Sequence, residues 1–262
     1  MSDVYTCHEG TVPLLISVPH DGRRLPDVIR ARMTEAGRAI PDTDWHVARL
    51  YDFARDLGAH LLVADYSRYV IDLNRPADDE SLYPGQVSTG LCPVKTFSGD
   101  DIYLAGELTS DEIADRIAGY WQPYHDRIRQ TLDAIHAEHG YAVVWDAHSI
   151  PSEVPRLFEG ELPVLNVGTF GGQSCTPQLE SEVFEIAAGS PYSAVLNGRF
   201  QGGFITRHYG DVANRVYAVQ LEIAQRAYMN EVSHDYDTEK ASRLRVTLRA
   251  MLETCIELAG RG

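Results

Sequence analysis

The 262-residue sequence predicts an α/β fold: one domain, three layers α/β/α, around a mixed but largely parallel sheet. Short apolar runs alternate with segments of helical periodicity, the pattern of strands joined by covered crossovers. Two of the runs, Leu14–Val18 and Tyr141–Asp146, read as buried strands. Each leads directly to a histidine, His20 and His148. Open α/β sheets bind their ligands outside the carboxyl ends of the strands, so residues 128 positions apart can meet at one site.

Taken in order, the expected strands are 13–18, 60–65, 69–73, 141–146, 163–167, 193–197 and 216–222. Helices are expected at about 26–38 and 44–57, the second with Val47, Leu50, Tyr51, Ala54 and Leu57 at helical spacing. Thr109-Ser110-Asp111-Glu112 fits a capping box opening a long helix to about residue 138. Pro123 should kink or split that helix, and Gly140 should stop it. Thr176-Pro177 fits an N-cap followed by proline at the first helical position. The amphipathic segment 238–259 is expected to pack on the sheet. Residues 76–108, 149–162 and 198–214 lack periodicity and read as long functional loops able to wall a pocket.

No linker, low-complexity tract or repeat divides residues 1–262, so a single domain is expected. The formal net charge of -15 argues against nucleic acid as partner, because phosphate contacts need clustered Lys and Arg. It leaves room for a small anionic substrate held by local arginines. No basic-then-apolar segment opens the sequence and no apolar run approaches spanning length, so a soluble cytoplasmic protein is expected. The scattered Cys7, Cys92, Cys175 and Cys255 offer neither a disulfide framework nor a thiolate zinc site. Any metal should therefore take His and carboxylate ligands.

Asp146 and His148 lie two apart on one strand and face the same side, which suits a carboxylate that orients a metal-bound imidazole. A three-ligand site needs another donor. Asp42-Thr43-Asp44-Trp45-His46 offers it, and Asp44 is favoured over Asp42 or His46 because Asp42 or Thr43 suffices as a cap. Along Tyr217–Ile223 the apolar residues fall on one face, with Ala218, Gln220 and Glu222 on the other. A carboxylate at that strand end suits a general base for water. Asn74 and Arg75 follow the 69–73 run, a pairing fit for bidentate capture of a carboxylate. Residues 197–210 set four glycines around Arg199, Arg207 and His208, but with no phosphate-binding fingerprint. No nucleophile elbow is present, so nothing supports a covalent mechanism.

These residues fall within ISVPHDG, TDWHVARLYDFA, SRYVIDLNRP, LYPGQ, TGLCP, WQPYH, WDAHSI, PRLFEGELP, NGRFQGGFITRHYG and VQLEIAQRAYMNE. Through these blocks the chain resembles the N-formylglutamate amidohydrolase family from about residue 10 to 232, and more widely the zinc carboxypeptidase-like hydrolases. The resemblance implies one divalent metal, preferably zinc, held by His20, Asp44 and His148. It implies Glu222 as the catalytic glutamate and Asn74-Arg75 as a carboxylate-holding pair. The His-x-x-Glu pattern of the wider group is missing, since Asp21, Gly22 and Arg23 follow His20; the carboxylate ligand comes from elsewhere in the chain. The implied reaction is hydrolysis of N-formyl-L-glutamate to formate and L-glutamate in histidine degradation, with metal-bound water attacking the formyl carbon. Arg207 or Arg199 would stabilise the oxyanion, and clamps for two carboxylates would come from Arg68, Arg75, Arg199 and Arg207. Alternatives are an amidase for another N-acyl or N-formimino amino acid, or a non-catalytic protein that binds metal or an amino acid. The oligomeric state is left open.

Overall fold

The computed structural model describes residues 4–82, 85, 89–105 and 108–259. Of the LYPGQ block, Tyr83, Pro84 and Gln86 lie outside the described residues, as does part of the expected 76–108 loop. Seven strands form one sheet: β1 (Tyr5–His8), β2 (Leu14–Val18), β3 (His60–Ala64), β4 (Ala142–Ile150), β5 (Leu165–Gly168), β6 (Ala194–Leu196) and β7 (Val216–Ala224). Their spatial order is β1-β3-β2-β4-β7-β5-β6. The four strands β3, β2, β4 and β7 run parallel, whereas β1 is antiparallel to β3 and β5 to β7. The chain passes from β2 to β3 on one side, then returns to place β4 on the other. This makes the gap between β2 and β4 a topological switch point.

Alternation along the strands divides the core in two. Leu14, Ile16, Val18, Val143, Trp145, Val219 and Leu221 pack on one face with helices α6 (Pro177–Gly189) and α8 (Thr238–Leu258). Leu15, Ala142, Val144 and Ala218 pack on the other with α5 (Gln122–His139) and α7 (Phe204–Tyr209). Helices therefore cover both faces, giving the expected three layers.

Several boundaries differ from expectation. The helix expected at 26–38 is two short pieces, α1 (Asp27–Arg30) and α2 (Glu35–Ala39). That expected at 44–57 is α3 (Val47–Leu50) followed by a 3₁₀ turn at Asp52–Arg55. The 69–73 run is no strand: Val70 N bonds Ser67 O and Asp72 N bonds Leu91 O, so its backbone pairs with loops. Its apolar character reflects burial of Tyr69, Val70 and Ile71 in the second core. The segment 198–214, read as a loop, contains α7. β1 was not expected, being a four-residue edge strand without apolar alternation.

The threonine caps act as read, while the Glu112 carboxylate pairs with Arg32 and Arg116. The hydroxyls of Thr109 and Thr176 accept from Glu112 N and Leu179 N, opening α4 (Ser110–Arg116) and α6. Pro123 does not break the helix that follows. A π-turn at Ile117–Trp121 joins α4 to α5 and absorbs the lost bond, and Gly140 ends α5 at φ 76°.

Candidate metal centre and active-site pocket

Three adjacent parallel strands deliver the site at their carboxyl ends. His20 stands two residues past β2, and His148 and Glu222 are register partners late in β4 and β7. Both strands continue beyond the expected ends, to Ile150 and Ala224, so His148 and Glu222 belong to the ladder itself. Asp44 arrives from the turn before α3, where its N–H bonds His20 O at 3.1 Å.

Ligand atoms of His20, Asp44 and His148 all lie within 4.8 Å of one another, and the three side chains are buried. Asp44 Oδ2 is 3.0 Å from His148 Nδ1 and 3.7 Å from His20 Nδ1. Behind the rings stand two more carboxylates. His20 Nε2 is 2.8 Å from Asp72 Oδ1, and His148 Nε2 is 2.9 Å from Asp146 Oδ1. Both imidazoles thus turn Nδ1 toward a shared centre; His20 backs Nε2 with the Asp72 carboxylate, the arrangement that fixes the tautomer of metal-bound histidines, whereas His148 Nε2 lies between Asp146 Oδ1 and, at 2.8 Å, Asn74 Nδ2. His20 Nδ1 is buried and makes no hydrogen bond to the described residues. An orphaned buried nitrogen is costly unless something fills the position it faces. A His₂-carboxylate donor set suits zinc, and also iron or manganese.

The charges are arranged to match. Burial tends to raise the pKa of Asp44, but its hydrogen bond with His148 and the nearby His20 ring hold it well below the usual carboxylate range. Burial acts likewise on Asp72, and the Arg68 guanidinium at 2.6 Å outweighs it. Glu222 has no such close partner among the described residues, and burial pushes its carboxyl up to about 8.

A pocket opens over this cluster and is also lined by Arg68, Asn74, Arg75, Phe97, Leu157, Arg199, Phe200, Gln220 and Glu222. Arg68 is partly engaged, with Asp72 and, at 3.5 Å, Asp44. Arg75 Nε and Nη2 donate to Thr89 O and Oγ1, and Arg199 Nε donates to Leu157 O. Asn74 is turned inward: Nδ2 donates to Asp146 Oδ2 at 2.9 Å, and Oδ1 accepts from Ile205 N at 2.8 Å. Arg207 is not among the described residues that line the pocket. Helix α7 turns it back, so that Nε donates to Gly202 O, Nη1 donates to Leu82 O and the guanidinium packs over Phe170.

The alternative carboxylate, Asp42, accepts from Tyr69 OH and Phe97 N, and His46 Nε2 bonds His234 O; neither joins the cluster. Asp21 caps the start of α3, accepting from His46 N and Ala48 N. Sequence reasoning missed Asp72 and the role of Gln220, whose Oε1 accepts from Gly203 N at 2.7 Å. Asp72 lay inside a run that read as strand, and only its spacing two residues before Asn74 could have marked it.

The sequence profile of the N-formylglutamate amidohydrolase family matches residues 12–229. Among characterised proteins, N-formylglutamate deformylases of Pseudomonas putida and Pseudomonas aeruginosa are each 49% identical over 259 residues. Each match covers 98% of this chain and 97% of the relative. Among solved structures, an N-formylglutamate amidohydrolase from Ralstonia eutropha JMP134 superposes with a TM-score of 0.81 at 25% identity, covering 95% of this chain and 96% of that one. A gene product of Agrobacterium tumefaciens, at 19% identity and a TM-score of 0.72 over 98% and 97% of the two chains, shares the fold. The chain belongs to the N-formylglutamate amidohydrolase family and is a hydrolase acting on an amide.

Proposed function

We propose that the protein hydrolyses N-formyl-L-glutamate to formate and L-glutamate, using one divalent cation held by His20, Asp44 and His148. The observation that carries this reading is the buried, unsatisfied His20 Nδ1 beside Asp44 and His148, with Glu222 in the wall of the same pocket. The relatives named above support the substrate.

A cation at this centre, preferably zinc, would supply Lewis acidity to the formyl carbonyl and lower the pKa of the attacking water. Glu222 takes the proton that water gives up and passes it to the departing amine nitrogen, so one carboxyl serves as base and then acid. Its pKa of about 8 in the buried site places it near the range such a shuttle requires. Arg75 and Arg199 line the pocket and are assigned to the two substrate carboxylates; Arg68, tied to Asp72 and Asp44, adds positive charge beside the reacting centre. Of the two arginines expected at the oxyanion, Arg199 is among the described pocket-lining residues and Arg207 is not. With a net charge of -15, such local cations are needed to attract a dianion. We place the reaction in histidine degradation.

Purified protein, with its metal content measured, should release formate from N-formyl-L-glutamate far faster than it releases acetate from N-acetyl-L-glutamate or hydrolyses N-formimino-L-glutamate. Equal rates on the formyl and acetyl substrates would overturn the reading.

A further inference from the structure

The WQPYH block at 121–125 and the π-turn before it have no part in the chemistry described so far. Both lie against the segment that carries Arg68, Asp72, Asn74 and Arg75. That segment belongs to no strand, so its carbonyls need partners from outside the sheet. Three side chains of the α4–α5 helix provide them. Arg116 Nη1 donates to Val70 O at 2.8 Å, His125 Nε2 donates to Leu73 O at 2.9 Å, and Trp121 Nε1 donates to Arg75 O at 2.9 Å.

The spacing explains the π-turn. His125 follows Trp121 by four residues, which puts both on one face of an ordinary helix. Trp121 follows Arg116 by five, which an α-helix would rotate out of line. A turn with i→i+5 bonding across Ile117–Trp121 restores the common face. The donors are also locked. Trp121 packs against His125, the rings tilted by 30° with centroids 3.8 Å apart. Leu73 O can only accept, so His125 carries its proton on Nε2, and Nδ1 accepts from Tyr209 OH at 3.0 Å. Burial keeps that ring neutral, pushing its pKa down to about 3.

We infer that Arg116, Trp121 and His125 form a rail, put in register by the π-turn, that positions the 68–75 segment, and that Trp121 is a positioning residue for substrate binding through Arg75. Trp121 sits at the Arg75 end of the rail, whereas Asp72, which stands behind the metal-facing ring of His20, is held separately by Arg68 and His20. Loss of the indole N–H should therefore loosen substrate capture more than the chemical step. The kinetic part of this inference rests on the substrate reading above.

The test is Trp121→Phe, which keeps an aromatic ring and removes the donor together with part of the buried indole. Losing one such bond should raise KM for N-formyl-L-glutamate on the order of fivefold to tenfold. Metal content should be unchanged and kcat should stay within about twofold of the parent enzyme. Amide hydrogen exchange in residues 68–76 should speed up in Trp121→Phe relative to the parent, with or without substrate. An unchanged KM together with unchanged exchange overturns the inference, as does a parallel fall in kcat, metal content and melting temperature. If the parent enzyme does not turn over the substrate, the substrate reading fails, and the exchange result alone decides whether the rail exists.

Discussion

Glu222 illustrates how much a single side chain is asked to do. It lies on a central strand, is 7% exposed, and belongs to the polar set of a strand whose other face is wholly apolar. Its burial disfavours the charged form, so the folded carboxyl titrates near 8 against an ordinary 4.5. The sign follows from linkage. Below 4.5 both folded and unfolded chains carry the proton. Between 4.5 and 8 the folded chain keeps a proton that the unfolded chain releases, so rising pH erodes stability through this group. Glu222→Gln removes that loss. In the presence of chelator, the variant should melt above the parent by a margin that widens from pH 5 to pH 8.5, worth on the order of a few kcal/mol at the upper end. With metal restored, turnover should fall about 10²–10⁴-fold. A constant melting difference across that pH range would show that burial does not set the carboxyl's titration. Glu222 was legible in the sequence because it closes the polar face of an alternating strand. Asp72 was not, because the histidine that gives it meaning is 52 residues away and its neighbours are apolar.

At the scale of elements, local patterning and tertiary demand disagree most around the site. The caps of α4 and α6 could be read directly because a threonine hydroxyl and the N–H it accepts are three residues apart. The 69–73 run could not. Its Tyr, Val and Ile suit a strand, yet its backbone groups bond to loops and to helix side chains instead of to a neighbouring strand. The segment is tied to α7 as well. That last contact is tight: a Cβ on Gly203 would lie 2.4 Å from Asn74 Nδ2. Gly203 N is also bonded to Gln220, so the backbone cannot retreat without breaking a buried bond. Gly203→Ala should therefore destabilise the protein by about 1–3 kcal/mol and lower kcat, by displacing Asn74 from Asp146. Denaturant unfolding and steady-state kinetics check both. A variant with normal stability and activity would mean that α7 shifts freely, and that its close approach has no part in building the site.

The whole molecule converges on the gap between β2 and β4. His20, His148 and Glu222 come from three neighbouring strands, and Asp44 from the turn that follows two short helices. This convergence was legible early because two apolar runs ended in histidines. The mixed edges of the sheet were not, since nothing local marks β1 or the reversal at β5. The same geometry has an energetic consequence. Asp44, Asp72 and Asp146 crowd two histidines, with Arg68 tied to Asp44 and Asp72. Like charges held this closely oppose folding unless a cation offsets them. A metal bound at 100 times its Kd would add about 2.7 kcal/mol of stability. For a chain of this size that corresponds to roughly 5–10 °C in melting temperature. Chelation should lower the melting temperature of the purified protein by that order, and stoichiometric zinc should restore it together with activity. His20→Ala should melt at the same temperature with and without chelator, because it lacks the ligand that faces the centre. If the parent shows the same insensitivity when fully active, the His20–Asp44–His148 cluster is not the metal centre, and the unsatisfied nitrogen of His20 has another purpose.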